Sequence, residues 1–275
     1  MIEKWIIACV VLLFAGLFSY RFAWWRKHVA LNRPRILMYH MVRSHRKGSS
    51  HNKLRVRPPE FEKQIAWLTK EGWRFRRMSE LKSMGGDSVK NVFVTFDDGY
   101  VDNLEEALPV LKKYKACATL YLVAKRDICL DWPAQRNPDK AGSDLSTEPR
   151  LSDSQVCQLI ESGCFEIASH TVTHADLTQL SDIEVDRQLM DSRLILKDKF
   201  QIDSSSFCYP FGRYLPGHPE VVRRCGYASA VTTRQGIANL ETDSPVELPR
   251  IKVSGKEGMF AFRLRMRTGF RGFKK

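Results

Sequence analysis

Three short stretches of this 275-residue chain combine residue types that can carry out hydrolysis. The first, TFDDGY, places the adjacent carboxylates Asp97 and Asp98 before a glycine. The second, SHTVTH, holds His170 and His174 at a spacing that lets both imidazoles face one metal ion. Alone, each pattern is weak, because Asp-Gly pairs also form solvated turns and the HxxxH spacing is common. Together, two histidines and one carboxylate are a recurrent set of catalytic metal ligands, which leaves the second carboxylate to act as a base.

The third stretch, FCYPFG over residues 207–212, is an aromatic Pro-Gly turn that contains Tyr209, Pro210 and Phe211. It is either a plain turn or a turn that aims a backbone N–H at a developing oxyanion. All three stretches follow predicted strands, and the carboxyl ends of strands are where α/β barrels build their active sites.

Strands that alternate with helices must position these stretches. The alternation predicts a parallel α/β sheet, and seven or so strands in about 220 residues fit a barrel better than two domains. Periodicity alone leaves an open sheet and a closed barrel as alternatives. Residues 125–150 are predicted to form a long loop that shapes specificity. The predicted strands are 35–40, 92–96, 118–124, 165–169, 206–209, 228–232 and 248–253, and the predicted helices are 59–71, 103–114, 153–162 and 181 to about 200.

TFDDGY followed by SHTVTH about 70 residues later resembles the polysaccharide deacetylases of the NodB-homology type, and the resemblance covers roughly residues 35–255. It implies a distorted (β/α)7-type barrel and metal-dependent removal of acetyl groups from sugars. By position, it makes Asp97 the catalytic base and Asp98, His170 and His174 the ligands of a divalent metal, most simply Zn²⁺. Such an ion activates water and polarises the acetyl carbonyl.

One departure from the family pattern concerns the third stretch. Cys208 stands where the family has an arginine that orients the base, and Arg250, at the end of a predicted strand, is the candidate substitute. The alternative is that Arg250 is a surface arginine. Phe211 stands where the family has a tyrosine, and its backbone N–H is still available as an oxyanion donor, with Tyr209 and Pro210 beside it in the substrate site.

The family's usual C-terminal catalytic histidine is also missing, since the last histidine of the chain is His218. His40, in LMYH at the end of a predicted strand, is similar to the Tyr-His motif of a branch that includes biofilm poly-N-acetylglucosamine deacetylases. In that branch the N-terminal histidine supplies the acid. The resemblance therefore implies that His40 protonates the departing sugar nitrogen, and the alternative is a buried structural histidine.

An uncharged run from Trp5 to Tyr20, extended to Trp25 past a single arginine, is long enough to cross a bilayer as a helix. A cleaved signal peptide is the alternative, but no small-x-small site follows the run. Only Lys4 and the amino terminus are positive before the span, whereas six lysines and arginines follow it within residues 21–43. This predicts a single-pass protein of the inner membrane with its domain on the cytoplasmic face. Seven cysteines without paired spacing agree with that reducing compartment.

The distribution of charge argues against a nucleic-acid-binding protein. Residues 1–57 carry a net charge of +11 and residues 250–275 carry +8, which leaves −6 for the body between them. A nucleic-acid binder usually spreads its basic patch over the folded body. The C-terminal segment has no single apolar helical face, so it is predicted to be an edge strand or a basic-aromatic tail that meets an anionic membrane surface. The predicted organisation is an anchor over 1–25, a linker over 26–34, the deacetylase domain over 35–255 and a tail over 256–275.

These features predict a membrane-bound sugar deacetylase whose substrate is an N-acetylhexosamine of a lipid-linked sugar or a lipopolysaccharide precursor. One alternative is the same enzyme outside the cytoplasm, acting on exported polysaccharide or peptidoglycan. Another is a membrane-tethered glycan-binding relic that does not catalyse. The intact set of two aspartates and two histidines argues against the relic.

Overall fold

Parallel strands that pair in a ring form the centre of the molecule. The computed structural model describes residues 1–84, 89–126 and 144–272. Its strands are β1 (Arg35–Tyr39), β2 (Met41–Val42), β3 (Arg55–Val56), β4 (Arg74–Phe75), β5 (Asn91–Asp97), β6 (Ala118–Leu122), β7 (Phe165–Ser169), β8 (Ser206–Cys208), β9 (Ser229–Gln235) and β10 (Leu248–Lys252). The ring runs β1-β10-β9-β8-β7-β6-β5 and closes because β5 also pairs with β1. This closed barrel of seven parallel strands confirms the predicted fold, with β4 added outside β5 and β2 paired with β3.

Helices connect the barrel strands and cover their outer faces. They are α1 (Ile2–Phe22), α2 (Pro58–Lys70), α3 (Leu108–Lys113), α4 (Asp153–Glu161), α5 (Asp182–Phe200), α6 (His218–Arg224) and α7 (Met259–Thr268). A π-helical turn over Asn103–Ala107 precedes α3. Ser152 and Ser181 cap α4 and α5 through capping boxes, which explains why both starts were predictable. The seven predicted strands are all present with ends within three residues, whereas α6 and α7 were not predicted.

Alternation along the strands separates an inner core from an outer core. Residues at every second position point into the barrel, and those between them pack against the helices. The outer core includes Leu37, Val94 and Leu120, which belong to the largest apolar cluster. The inward residues that fill the barrel are Ile36, Phe93, Tyr121, Ala168, Cys208, Val231 and Leu248.

The C-terminal segment differs from its prediction. The prediction of an edge strand or a tail is wrong over Met259–Thr268, which form helix α7. Its apolar residues point in two directions because two different surfaces cover the helix. The Phe262 ring lies 5.9 Å from the Trp67 ring of α2, while the Phe260 ring lies 5.0 Å from the Phe22 ring of α1. A helical wheel with one apolar face therefore could not identify this helix.

Helix α1 is the candidate membrane span. Residues Glu3–Phe22 have a mean hydropathy of 2.0, and none of this segment is buried against the rest of the protein. Its length and composition suit a membrane span, and a signal sequence near the N-terminus meets the same description.

A buried arginine fixes the chain where it enters the barrel. Arg35, at the start of β1, donates to the carbonyl oxygens of Val29 (2.9 Å), Ala30 (2.7 Å) and Arg33 (2.5 Å) in the linker after α1. It also donates to the carbonyl of Met266 in α7 at 2.8 Å. The side chain of Arg35 thus joins the linker, the barrel and the C-terminal helix in one hydrogen-bonded unit.

Candidate active site

The predicted functional residues continue the inward-pointing positions of the strands at their carboxyl ends. Asp97 is the last residue of β5 and stands two positions beyond Thr95, so both point into the barrel. Asp98 follows with a φ of 81°, in the left-handed region that a non-glycine residue seldom adopts. The reversal turns Asp98 toward the loop after β7, where His170 and His174 lie. His174 is itself in the left-handed region, with a φ of 57°, and such strained positions cluster at functional sites.

Asp98, His170 and His174 form one buried group of ligand atoms. Oδ1 of Asp98 lies 3.4 Å from Nε2 of His170 and 3.5 Å from Nε2 of His174. A carboxylate oxygen and two imidazole nitrogens all within 4.8 Å of one another are a donor set that fits a divalent cation. The ring nitrogen Nδ1 of His170 lies 2.7 Å from the carbonyl oxygen of Cys208, which orients its Nε2 toward the group. Burial and the neighbouring His170 lower the pKa of His174 to about 3, so this ring is neutral.

Arg250 lies at the centre of the site and not at the surface. Its guanidinium donates to both carboxylate oxygens of Asp97 at 2.7 Å each, and it is fully buried. Further bonds to Oγ1 of Thr95 and to the carbonyl of Thr232, each 3.0 Å long, fix the arginine plane. Burial would raise the pKa of Asp97, but the charge and hydrogen bonds of Arg250 outweigh it and hold that pKa below its usual value. Asp97 is therefore an oriented carboxylate.

The residue at position 208 explains how an arginine from another strand reaches Asp97. Cys208 is small and points inward from β8, and its Sγ lies 3.3 Å from Nη2 of Arg250. The side chain of Arg250 enters from β10, across the barrel. The short side chain on β8 thus leaves room for the guanidinium.

His40 lies on the other side of Asp97. It follows β1 directly, and its Nε2 is 3.9 Å from Oδ2 of Asp97. Its side chain is 17% exposed, so it reaches the solvent of the cleft while the aspartates remain buried. The side-chain amide of Asn103 donates to the His40 backbone carbonyl at 3.0 Å and fixes the chain there. His40 is thus placed at the cleft and not in the apolar core.

The turn after β8 contributes one wall of the site. Phe211 has a φ of 57°, and its ring centroid lies 4.6 Å from that of His174. Gly212 is required after it, because a Cβ there would lie 2.0 Å from Oγ1 of Thr233. Tyr209 lines the cleft, although its hydroxyl donates to the Val246 carbonyl at 3.1 Å. Pro210 is buried and does not line the cleft.

One cleft of about 730 Å³ is lined by both aspartates, by His170 and His174, and by His40, Tyr209 and Phe211. Sequence reasoning missed several of its residues, among them Lys53, Lys252 and Arg265. Lys252 could have been found, since it stands two residues after Arg250 on the same strand face. The predicted specificity loop 125–150 contributes Leu145 and Arg150 to the cleft wall, and its residues 127–143 lie outside the described part of the chain.

Comparisons with known proteins find similar sequences and structures. Residues 85–230 match the polysaccharide deacetylase family. YxkH of Bacillus subtilis, assigned as a polysaccharide deacetylase, is 31% identical over 80% of this chain and 71% of its own length. The poly-β-1,6-N-acetyl-D-glucosamine N-deacetylase of Staphylococcus aureus is 22% identical over 72% of this chain and 68% of its own. The Streptococcus pyogenes deacetylase PplD in complex with acetate superimposes with a TM-score of 0.70 and 25% identity, covering 87% of this chain and 99% of PplD.

Proposed function

Because the chain belongs to the polysaccharide deacetylase family, we propose that it removes an acetyl group from an N-acetylhexosamine of a membrane-associated glycan. The glycan is a lipid-linked sugar or a lipopolysaccharide precursor. One observation carries the chemical part of the proposal: the Asp/His/His ligand set, the Arg250-bound Asp97 and His40 converge on a single cleft.

The metal belongs at Asp98, His170 and His174. Their nitrogen and oxygen atoms match the donors that Zn²⁺ takes in hydrolases, and three protein ligands leave positions for water and substrate. Bound there, a divalent ion would lower the pKa of a water molecule and polarise the acetyl carbonyl.

The remaining residues move or stabilise charge. Asp97 accepts the proton of the attacking water, and the two hydrogen bonds from Arg250 hold the carboxylate in one orientation for this step. The backbone N–H of Phe211 stabilises the developing oxyanion, since its turn lies against His174 at the cleft. His40 donates a proton to the departing sugar nitrogen from its position 3.9 Å from Asp97.

The membrane part of the proposal rests on α1 and its surroundings. We infer that α1 remains as a single-pass anchor in the inner membrane and that the domain faces the cytoplasm. The exposed ring of Phe260 in α7 continues the apolar surface of α1 by contacting Phe18 and Phe22, which fits a domain held against the bilayer. The six cysteines in the described ranges are free, which suits a reducing compartment.

A second candidate function is deacetylation of an exported polysaccharide outside the cytoplasm. It is favoured by the similarity to the staphylococcal poly-β-1,6-N-acetyl-D-glucosamine N-deacetylase. A reporter fused after residue 275 distinguishes the two by its compartment.

Mass spectrometry of membrane glycolipids tests the first candidate. Cells would express the full chain, the Asp97→Asn variant, or Asp191→Asn as a control at an exposed aspartate of α5. We expect one glycolipid to lose the mass of an acetyl group with the wild type and the control only. Identical spectra, combined with deacetylation of poly-N-acetylglucosamine by the purified protein, would replace the first candidate with the second.

A further inference from the structure

A lysine ends the barrel strand that carries Arg250. Lys252 stands two residues after Arg250 on β10, so it points to the same inner face, one layer closer to the mouth of the cleft. Its register partner in β1 is Met38, which stands two residues before His40. Lys252 therefore lines the cleft within one strand layer of the proposed proton donor.

Positive charge around Lys252 exceeds the negative charge that could balance it. Half-burial, together with Arg250, Arg265 and Lys53, lowers the pKa of Lys252. Asp97 neutralises Arg250, but within residues 1–84, 89–126 and 144–272 no carboxylate forms an ion pair with Lys53 or Lys252.

Lys252, Lys53 and Arg265 form a basic wall of the cleft. Apart from Asp97 and Asp98, Glu257 is the only carboxylate among the described residues that line the cleft, and it is already shared. It accepts two bonds of 2.9 Å from Arg265 and one of 2.7 Å from Arg271. Two arginines on one glutamate leave a further positive charge beside Lys252. Holding like charges together in a partly buried cleft costs free energy, and an anionic ligand would offset this cost. A neutral acetylated sugar carries no charge that could offset this cost.

One residue of this basic wall belongs to a helix that contacts α1. Arg265 belongs to α7, and Phe260 of the same helix contacts Phe18 and Phe22 of α1. The basic residues therefore reach from β10, beside the proposed catalytic residues, to the helix that contacts the proposed membrane anchor.

We propose that Lys252, Lys53 and Arg265 form a subsite for a phosphate group of the substrate, next to the acetylated sugar. The inference rests on the proposed function and narrows its substrate class to sugars linked through a phosphate ester. A lysine ammonium and a guanidinium are the groups that bind phosphate oxygens most strongly. The subsite makes the enzyme select a phosphate-linked sugar over a neutral polymer.

Two matched substrates test the subsite. One is N-acetylglucosamine joined to a long-chain alcohol through a phosphodiester, and the other is the neutral glycoside of the same alcohol. The full chain is assayed in phosphatidylcholine nanodiscs, and the ratio of the two kcat/KM values is compared among variants. Lys252→Gln removes the charge and Lys252→Arg keeps it. Lys256→Gln removes an exposed lysine of the same segment that does not line the cleft, and thermal unfolding confirms that each variant is folded.

We expect the wild type, Lys252→Arg and Lys256→Gln to prefer the phosphodiester, and Lys252→Gln to lower that preference about tenfold or more, as loss of a charge-assisted hydrogen bond does. Equal turnover of both substrates by the wild type, or an unchanged ratio in Lys252→Gln, overturns the subsite while leaving the proposed function intact. No turnover of either substrate overturns both. If phosphatidylglycerol in the nanodisc inhibits the neutral substrate and Lys252→Gln abolishes this inhibition, the subsite binds a lipid headgroup and the substrate assignment is wrong.

Discussion

Replacing Arg250 with methionine should both destabilise the fold and inactivate the enzyme, by two separable routes. The guanidinium makes two 2.7 Å bonds to Asp97, and the two side chains are 0% and 4% exposed. Removing one partner of such a buried pair leaves an uncompensated charge and costs about 3–5 kcal/mol in the free energy of unfolding. Methionine fills much of the same volume, so little of this loss would come from a cavity.

A double-mutant cycle, followed by urea unfolding, measures the free-energy cost of leaving one charge of this pair unpaired. The single variants are Arg250→Met and Asp97→Asn, and the double variant removes both charges. We expect the double variant to be more stable than the sum of the single effects predicts, because no unpaired charge then remains in the barrel. A free energy of unfolding for Arg250→Met within about 1 kcal/mol of the wild type, in the usual range of harmless substitutions, would refute the reasoning.

Measurements of activity and of metal content distinguish an Arg250 variant that has lost the orientation of Asp97 from one that has lost its fold. In the proposed mechanism Arg250 acts through Asp97, so its loss should lower kcat by on the order of 10²–10⁴-fold, as loss of the proposed base would. Bound metal, measured by atomic absorption, should stay at the wild-type level, because the hydrogen bonds of Arg250 run to Asp97, Thr95, Thr232 and Cys208 and none of these is a proposed metal ligand. Arg250→Lys keeps the charge but not the paired donors, so it should recover stability more than activity. Adding Cys208→Arg to Arg250→Met should restore part of the activity, since Sγ of Cys208 lies 3.3 Å from the lost guanidinium.

Three further perturbations give distinct results. Asp98→Asn and His174→Gln should each reduce the bound metal measured by atomic absorption, whereas Asp97→Asn should keep the metal and lose activity. Full metal content in both ligand variants would disprove the ligand assignment. His40→Gln should lower the rate of amide hydrolysis by about 10²–10⁴-fold. It should lower the rate of 4-nitrophenyl acetate hydrolysis much less, because the 4-nitrophenolate leaving group needs no acid. Equal losses with both substrates would contradict the proposed role of His40. Burial raises the pKa of Asp102 to about 7, so the folded protein retains a proton that the unfolded chain releases near pH 4. The free energy of unfolding should therefore decrease as the pH rises from 4 to 7, by up to about 4 kcal/mol, and calorimetry on Asp102→Asn should show a flatter profile; an equally steep profile in the variant would point to another group.

The barrel was predictable because local sequence and fold agree over most of it. Its strands are buried on both faces, so they stand out as short apolar runs between polar turns. Capping boxes at Ser152 and Ser181 mark the helix starts. What periodicity could not supply was closure, since the pairing of β1 with β5 joins residues 35–39 to residues 92–96, far apart in the chain.

The parts of the site that the sequence left open or missed are those set by long-range packing. Arg250 could be identified only as a candidate, because its contact with Asp97 spans 153 residues and depends on a small residue at position 208. Helix α7 was missed because its two apolar sides serve two different neighbours, α1 and α2. Lys252 could be predicted to face the cleft only if the side-chain directions on β10 were known. Alternation along the strand gives them once Arg250 is known to point inward.

The connection between α1 and the barrel has a consequence for how far the enzyme can reach. Twelve residues separate the two elements, and fully extended they would span about 40 Å. Arg35 holds the carbonyl groups of Val29, Ala30 and Arg33 against the barrel and a fourth carbonyl in α7, so residues 29–33 are fixed and only the six residues 23–28 separate them from α1. If α1 is anchored, the cleft stays at one height above the lipid surface. The enzyme would then modify sugars carried past it by lateral diffusion in the bilayer and would not search the surrounding solution for them.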